Sequence, residues 1–198
     1  MRRADKIGID VPLAWPRAFV DSLTAYENGS AWTTPHSDVA LRLRATDRFV
    51  TKSIGRTPLS VSTDKIAMPA MRAARLLSHF DPQMDRSGAG KVVEVYPAAS
   101  LTVWGFKANQ YKGRVGAKVR AHLIDSFRKE TEKWVTLSET CYAACIADDN
   151  AFDALVASLT ARAAQRGLCH AIPEEDLRLA RVEGWIALPT PGSLGSLA

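Results

Sequence analysis

Residues 91–96, KVVEVY, form an almost continuous run of β-branched and aromatic side chains that Pro97 ends. Such a run is typical of a short strand buried on both faces inside a parallel sheet. Glu94 interrupts the run toward its C-terminal end, where open α/β sheets place their sites. Because burying a lone carboxylate costs several kcal/mol, Glu94 must be solvated, paired or bound to a cation.

The run Ile7–Val11 repeats this pattern, with Asp10 as its acid and Pro12 directly behind it. Two such strands side by side would bring Asp10 and Glu94 to the same edge of one sheet. The arrangement predicts a metal site at that edge.

Elsewhere, apolar residues recur with helical spacing, and turn residues separate the segments. Helices are predicted at residues 17–26, 64–80, 97–105, 116–134, 138–146 and 148–165, and a short one opens at 173–176. In the fourth of these, Val119, Leu123 and Phe127 form the predicted buried stripe. Residues 38–53 fit a strand or a helix, and residues 184–188 read as a last strand. The alternation of strands and helices predicts an α/β fold.

The chain has 198 residues, of which 46% are hydrophobic and 24% charged, so it fits one domain. We place that domain at residues 1–189 and predict a flexible tail at 190–198, which is rich in Pro, Gly and Ser. No apolar run approaches the roughly 20 residues of a membrane span, and no signal-peptide core precedes the first strand. We therefore expect a cytoplasmic protein that does not enter a membrane.

The cysteines and histidines limit the kinds of disulfide and metal chemistry that the chain can carry. The three cysteines lack a C-x-x-C pair, and the four histidines show no zinc spacing, which argues against a disulfide framework and a zinc enzyme. Cys141 and Cys145 share one helix face and are interpreted as buried free thiols. The net charge of +5 permits a phosphate-bearing partner without requiring one.

Two further acids lie in the predicted helix that begins near Asp148. Asp149 and Asp153 are four residues apart, so they share a helix face close to the N-terminus, where the helix dipole favours negative charge. Each acid also has a structural interpretation: Asp148 or Asp149 as an N-cap, Asp153 paired with an arginine, and Asp10 bonded to a backbone N–H. Together, Asp10, Glu94, Asp149 and Asp153 predict a carboxylate cluster that selects Mg²⁺ or Mn²⁺, because oxygen-only ligands favour hard ions.

Basic residues flank the predicted site. Arg44 and Arg48 precede the first central helix, and Lys112 lies in the loop after the Glu94 strand, so all three are candidates for binding substrate phosphate. The alternative is that Arg44 and Arg48 neutralise the carboxylates directly, which would stabilise the fold with no metal. Tyr111 and Trp104 could stack on bases, although core or loop-anchoring roles are the more frequent ones.

Six segments carry a resemblance to a known family. In chain order they are IGIDVPLAWP, RATDR, VVEVYPAASLTVWG, YKG, DDNAFDALVASLTARAA and ARVEGWIALP. They resemble the domain-of-unknown-function family of predicted RNase H-like nucleases over residues 7–189, with the Glu94 strand and the Asp149 helix as the most specific parts. The latter is also similar to a helix of Holliday-junction resolvases whose acids bind metal.

The resemblance implies an RNase H-like fold, a mixed sheet flanked by helices, and hydrolysis of phosphodiesters with two divalent ions. Asp10 and Glu94 would be ligands at strand ends, and Asp149 and Asp153 ligands on the helix. One of these carboxylates, or a metal-bound hydroxide, would provide the base. Nucleic acid is the partner that this implies.

The family pattern begins with an additional strand that bears a Gly-x-Asp-type acid, and nothing ahead of Ile7 matches it. The resemblance therefore implies an N-terminally reduced sheet, whose exposed edge could recruit a second copy into a homodimer. Two other hypotheses stay open: a catalytically inactive module that binds nucleic acid or a partner protein, and a small-molecule phosphotransferase or phosphohydrolase. Residues 87–90, SGAG, lack the Lys-Ser/Thr of a P-loop, which weakens the last one.

Overall fold

The computed structural model describes residues 4–32 and 36–198. Helices predominate, and the described residues include two short strands, β1 (Ile7–Ile9) and β2 (Val92–Glu94). The mixed α/β class is therefore confirmed. The chain divides into two compact units. The described part of Met1–Asp10 belongs to unit 1 together with Val95–His170 and Ala187–Ala198, and unit 2 comprises Val11–Glu94 and Ala171–Ile186.

Unit 1 is built around one long helix. In chain order its elements are β1, α5 (Pro97–Val103), α6 (Ala117–Thr131), α7 (Glu139–Ala147), α8 (Asp149–Gln165) and a 3-10 helix at Ser193–Leu197. Helix α8 packs against β1, α5, α7 and the 3-10 helix. Its apolar residues lie on most of its surface, so it is buried along nearly its whole length.

Local sequence signals explain where the helices of unit 1 begin. Pro97 is the first residue of α5, a position that tolerates its missing N–H. The Ser138 side chain accepts a hydrogen bond from the Cys141 N–H at the start of α7. Asp148 does the same for the Asn150 N–H at the start of α8, which confirms the N-cap interpretation of Asp148.

Unit 2 is mainly helical. In chain order its elements are α1 (Arg17–Glu27), α2 (Asp38–Arg42), α3 (Ala45–Ile54), α4 (Ala67–Ser78), β2, a 3-10 helix at Glu174–Asp176 and α9 (Leu177–Glu183). Helix α9 packs against α1 and α3. A small apolar cluster of Ala45, Ala180 and Trp185 lies at this point, with Phe49 against the Trp185 ring.

These elements settle one alternative that the sequence left open and correct one prediction. Residues 38–53, which fitted a strand or a helix, form the helices α2 and α3. Residues 184–188, predicted as a strand, make only isolated bridges, Glu94 with Ile186 and, just beyond, Cys169 with Pro189. An apolar run indicates that a segment is buried, but it does not indicate that the segment pairs with a neighbouring strand. Trp185 to Leu188 are indeed buried.

A further correction concerns the buried stripe of α6. Leu123 and Phe127 are buried as predicted, but Val119 is 40% exposed, because α6 is covered on a narrower face than the spacing suggested.

Residues 190–198, predicted as a flexible tail from their composition, contain the 3-10 helix at Ser193–Leu197, whose two leucines lie in the core of unit 1. The single domain placed at residues 1–189 stays a prediction.

Candidate functional site

Three of the four predicted acids and one lysine come together in unit 1. Asp10 directly follows β1, Asp149 and Asp153 lie in the first two turns of α8, and Lys112 lies in the loop before α6. We call these four residues the acid–lysine cluster. Asp149 and Asp153 are four residues apart, so one helix face presents both, as the sequence predicted.

Asp153 is the most buried member of the acid–lysine cluster. Its Oδ2 atom lies 2.6 Å from Lys112 Nζ, and its Oδ1 atom accepts a hydrogen bond of 2.6 Å from the Tyr111 hydroxyl. The Asp153 side chain is 5% exposed, whereas that of Lys112 is 53% exposed. The partner of Asp153 is therefore a lysine and not the arginine that the sequence analysis considered.

The Lys112 ammonium is the positive charge that the three carboxylates share. Burial lowers its pKa, but the hydrogen bond and charge of Asp153 and the charges of Asp10 and Asp149 outweigh this, so the pKa lies above its ordinary value. The lysine is thus charged at neutral pH. Asp149 is held by a second contact, since its Oδ1 atom accepts a hydrogen bond of 3.1 Å from the Gly113 N–H.

Two residues that the sequence analysis did not assign to the site hold it in place. Tyr111 is buried at 1% exposure, and its ring packs edge-on against Phe152, so the core role is the one observed. Arg120 is also buried, and its guanidinium donates to the carbonyls of Tyr111, Gly113, Ile146 and Ala147. Arg120 therefore clamps the Lys112 loop to the end of α7.

Among the residues that the structure describes, no three Asp, Glu, His or Cys side chains are grouped so that they could hold a metal ion. The acid–lysine cluster is, in this arrangement, an ion-pair network centred on an ammonium. Mg²⁺ or Mn²⁺ thus stays a prediction.

Glu94 lies in unit 2, within a second buried group that we call the arginine–carboxylate network: Arg44, Asp47, Glu94 and Glu183. Arg44 binds Glu94 through two hydrogen bonds of 2.7 Å, from Nη1 to Oε2 and from Nη2 to Oε1. It also binds Asp47 through Nε at 3.1 Å and Nη2 at 2.9 Å. For Arg44, these contacts match the alternative considered from the sequence, in which the arginine neutralises the carboxylates directly.

The charged groups of this network form an ion pair that is buried away from solvent. Burial raises the pKa of Glu94, although Arg44 and the Leu13 N–H, which donates to Glu94 Oε2 at 2.9 Å, lower it. The two carboxylates raise the pKa of Arg44, so its guanidinium stays charged. Both carboxylate oxygens of Glu94 accept hydrogen bonds from Arg44 or the Leu13 N–H. In this arrangement neither oxygen is left over for a metal ion, and the metal-ligand role of Glu94 stays a prediction.

The Arg44 side chain is 2% exposed, and its donors are directed at Glu94, Asp47 and the Glu183 carbonyl, so its substrate-binding role stays a prediction that this arrangement does not favour. Arg48 differs, since it is exposed and donates only to the Leu43 carbonyl at 2.7 Å. For Arg48 and for the half-exposed Lys112, substrate binding stays a prediction. The four-carboxylate cluster as a whole stays a prediction as well.

Glu183 is an acid that the sequence analysis missed. Its Oε1 atom accepts from the Arg17 N–H at 2.7 Å and its Oε2 atom from the Ala45 N–H at 2.8 Å, so one carboxylate caps the N-termini of both α1 and α3. The available signal was a buried-looking acid between Val182 and Gly184, directly before an apolar run. The role of Glu183 is structural.

The cysteines are free thiols, as predicted. Burial, together with neighbouring Cys141, raises the pKa of Cys145 to about 11. Burial likewise raises the pKa of Cys169 to about 11, against the lowering effect of Lys6. Both thiols are protonated at neutral pH and are therefore poor nucleophiles.

In the described residues, none of the helices combines the length and the apolar character that crossing a bilayer requires.

Comparison with known proteins identifies the family. A model of the family described as protein of unknown function (DUF429) matches residues 1–178, so the chain belongs to this family. The resemblance to a domain-of-unknown-function family is thus confirmed, and the relationship of that family to RNase H-like nucleases stays a prediction. No curated protein and no solved structure matches the sequence.

Proposed function

We propose that this member of the DUF429 family is a divalent-metal-dependent nuclease-like hydrolase of RNase H-like fold that cleaves phosphodiesters. The observation that carries the proposal is the acid–lysine cluster. Asp10, Asp149 and Asp153 come from two different elements of unit 1, and their charges act on one cation, the Lys112 ammonium. Carboxylates gathered in this way are the usual ligands of catalytic Mg²⁺ and Mn²⁺.

By ligand type the donor set suits a hard divalent ion, but in the described arrangement the carboxylates are not grouped to hold one, so a bound metal would have to draw them together. All three side chains offer oxygen atoms, and Lys112 serves as a stand-in for the cation that they would hold. Asp10, Asp149 and Asp153 would be the ligands. We leave Glu94 out of this set because Arg44 and the Leu13 N–H occupy its oxygens.

A bound divalent ion would supply positive charge to the phosphodiester and activate water. Hydrogen bonds from neighbouring residues hold two of the carboxylates in fixed orientations. The Tyr111 hydroxyl orients Asp153 through Oδ1 and leaves Oδ2 directed at the cation position, and the Gly113 N–H orients Asp149. Lys112 offers the positive charge that a substrate phosphate would need.

Cleavage assays test the proposal. Labelled single- and double-stranded DNA and RNA are incubated with Mg²⁺ or Mn²⁺, and we expect Asp153→Asn to lower the cleavage rate by about 10²–10³-fold. The amide keeps an acceptor for the Tyr111 hydroxyl but removes the charge. Asp148→Asn is the matched control, because asparagine is an equally good N-cap, and its rate should equal that of the unchanged protein. Equal rates in all three proteins, or no cleavage of any substrate, would reject the proposal.

The alternative function is a non-catalytic RNase H-like module that binds nucleic acid or a partner protein. The observation in its favour is the engagement of Glu94 by Arg44, which resembles a structural ion pair more than a catalytic group. Fluorescence anisotropy over a KCl series distinguishes the two. Binding with a steep salt dependence, without cleavage and unchanged in Asp153→Asn, would favour the module.

A homodimer through an exposed sheet edge belongs to the same proposal. Sedimentation velocity over a concentration series measures it, and a single monomeric species at all concentrations would exclude it. The cytoplasmic location stays a prediction.

A further inference from the structure

A cleft of about 610 Å³ lies in unit 1 beside α6, and its volume is within the range of roughly 300–1,000 Å³ that small-molecule sites occupy. Its lining residues come from two segments, residues 105–107, which follow α5, and one face of α6. Most of the lining surface is apolar, and Phe106, Val119 and Leu123 contribute to it. Val119, which the sequence predicted to be buried, is 40% exposed and lines this cleft. Its side chain is therefore accessible to a ligand.

The charged residues that line the cleft are Lys107, Lys118 and Glu130. Lys118 lies in the first turn of α6 and Glu130 in the last. The helix dipole disfavours a cation at the N-terminus and an acid at the C-terminus, so neither charge is placed to stabilise α6. Arg128 and Lys129 lie in the same last turn, and their charge has the sign that the dipole favours. The charges that oppose the dipole are those of the cleft, and departures from a local stability rule are typical of functional sites.

The N-terminal end of α6 is suited to an anion. Gly116 is the N-cap, the first turn contains no acid, and in the described part of the chain no side chain caps this helix. The first backbone N–H groups of a helix attract negative charge, and Lys118 adds its ammonium at the same end. Glu130 lies about 18 Å away along the helix axis and repels negative charge. The cleft therefore favours a ligand with one anionic end over a polyanion that extends along it.

We propose that this cleft binds a small organic anion with an apolar body and a single acidic group. The body packs against Phe106, Val119 and Leu123, and the carboxylate or phosphate group lies near Lys118. The apolar lining supplies the burial, and the lysine with the helix N-terminus fixes the orientation of the ligand. The cleft shares no residue with the acid–lysine cluster, so this inference does not rest on the proposed function.

Two fluorescent probes test the inference, 8-anilino-1-naphthalenesulfonate and N-phenyl-1-naphthylamine, which share their aromatic rings and differ in the sulfonate. Fluorescence titration gives the Kd of each. Lys118→Met should raise the Kd of the sulfonate about tenfold and leave that of the neutral amine unchanged, because only the charged group contacts the lysine. Val119→Thr keeps the shape of the side chain but adds a hydroxyl, so it should raise the Kd of both probes about fivefold.

Lys129→Met is the matched control. It makes the same charge change on the same helix, about 16 Å from Lys118 along the axis and beyond the Debye length of about 8 Å at physiological salt. Its Kd for the sulfonate should equal that of the unchanged protein. Equal values for Lys118→Met and Lys129→Met, or binding of neither probe, would overturn the inference. A lower urea midpoint for Lys118→Met, with weaker binding of both probes, would assign Lys118 a structural role and overturn it as well.

Competition and nuclear magnetic resonance locate the binding and define its chemistry. Either 1-naphthoate or 1-naphthyl phosphate should displace the sulfonate probe, and stronger displacement by a short thymidine oligonucleotide would overturn the inference in favour of a nucleic-acid surface. His122 lines the cleft, and its Nδ1 atom lies 2.9 Å from the Lys118 carbonyl oxygen. Its ring resonance should shift when the sulfonate probe is added, whereas that of His79, in unit 2, should not. An unmoved His122 resonance at saturating probe would show that binding occurs elsewhere and would overturn the inference.

Discussion

Replacing Arg44 by methionine is expected to lower the free energy of unfolding by about 3–5 kcal/mol, measured by urea denaturation. The guanidinium binds Glu94 with two hydrogen bonds and Asp47 with two more, and it also donates to the Glu183 carbonyl. Methionine fills most of the space but leaves two buried carboxylates without a cation. An uncompensated buried charge is among the costliest defects in a protein interior.

Arg48→Met is the matched control, because Arg48 lies one turn further along α3, is exposed and makes one hydrogen bond, to the Leu43 carbonyl. Its expected effect is within about 0.5 kcal/mol, as for surface substitutions in general. If Arg44→Met does not fold, Arg44→Lys retains the charge and should lie between the two. Similar midpoints for Arg44→Met and Arg48→Met would show that the network contributes little.

The loss caused by Arg44→Met should depend on pH. Without the guanidinium, burial raises the pKa of Glu94 further, because the lowering influence of Arg44 is gone. A carboxyl whose pKa is higher in the folded state binds more protons when folded, so stability falls as pH rises above the unfolded value. The gap between the variant and the unchanged protein should therefore narrow as pH is lowered toward about 4.3, the ordinary value for glutamate. A gap independent of pH would mean that lost packing, and not buried charge, causes the effect.

Replacing Gly8 by alanine is expected to lower the free energy of unfolding by about 1–3 kcal/mol, toward the upper end of the range for overpacked sites. A Cβ atom at Gly8 would lie 2.3 Å from the Ala157 carbonyl oxygen and 3.1 Å from Val95 Cγ2. The carbonyl belongs to the backbone of α8, so it cannot rotate away as a side chain could. Strand β1 and helix α8 would have to separate, and Asp10 would move with β1.

Gly195→Ala is the control for Gly8→Ala, since a Cβ atom there meets nothing within 4 Å. Its midpoint in urea should match that of the unchanged protein. Because Asp10 directly follows β1, Gly8→Ala should also weaken Mn²⁺ binding if the proposed metal site is correct. A Gly8→Ala protein as stable as Gly195→Ala would show that β1 and α8 do not approach as closely as described.

Several elements of the fold could be predicted because their signals are local. Asp148 caps α8, Pro97 opens α5 and Ser138 caps α7, and each signal lies within a few residues of the backbone group that it satisfies. The i,i+4 placement of Asp149 and Asp153 on one face is likewise a property of the helix itself.

The partners of the charged residues could not be predicted in this way. Glu94 is bonded to an arginine 50 residues away, and Asp153 to a tyrosine 42 residues away. Arg44 was a candidate for binding substrate phosphate and Arg120 had no predicted role, yet both are buried. Burial of an arginine depends on which acceptors the folded chain brings to it, and no local pattern records them.

The sequence by itself determined most of the helices, the N-cap of α8, the acids at the ends of β1 and β2, and the family, because these depend on neighbouring residues and on motifs. Only the tertiary structure decided which cation each acid receives: a bidentate arginine for Glu94 and a half-exposed lysine for Asp153. The physical reason is that the free energy of a buried charge depends on groups distant along the chain, and those groups meet only when the chain has folded.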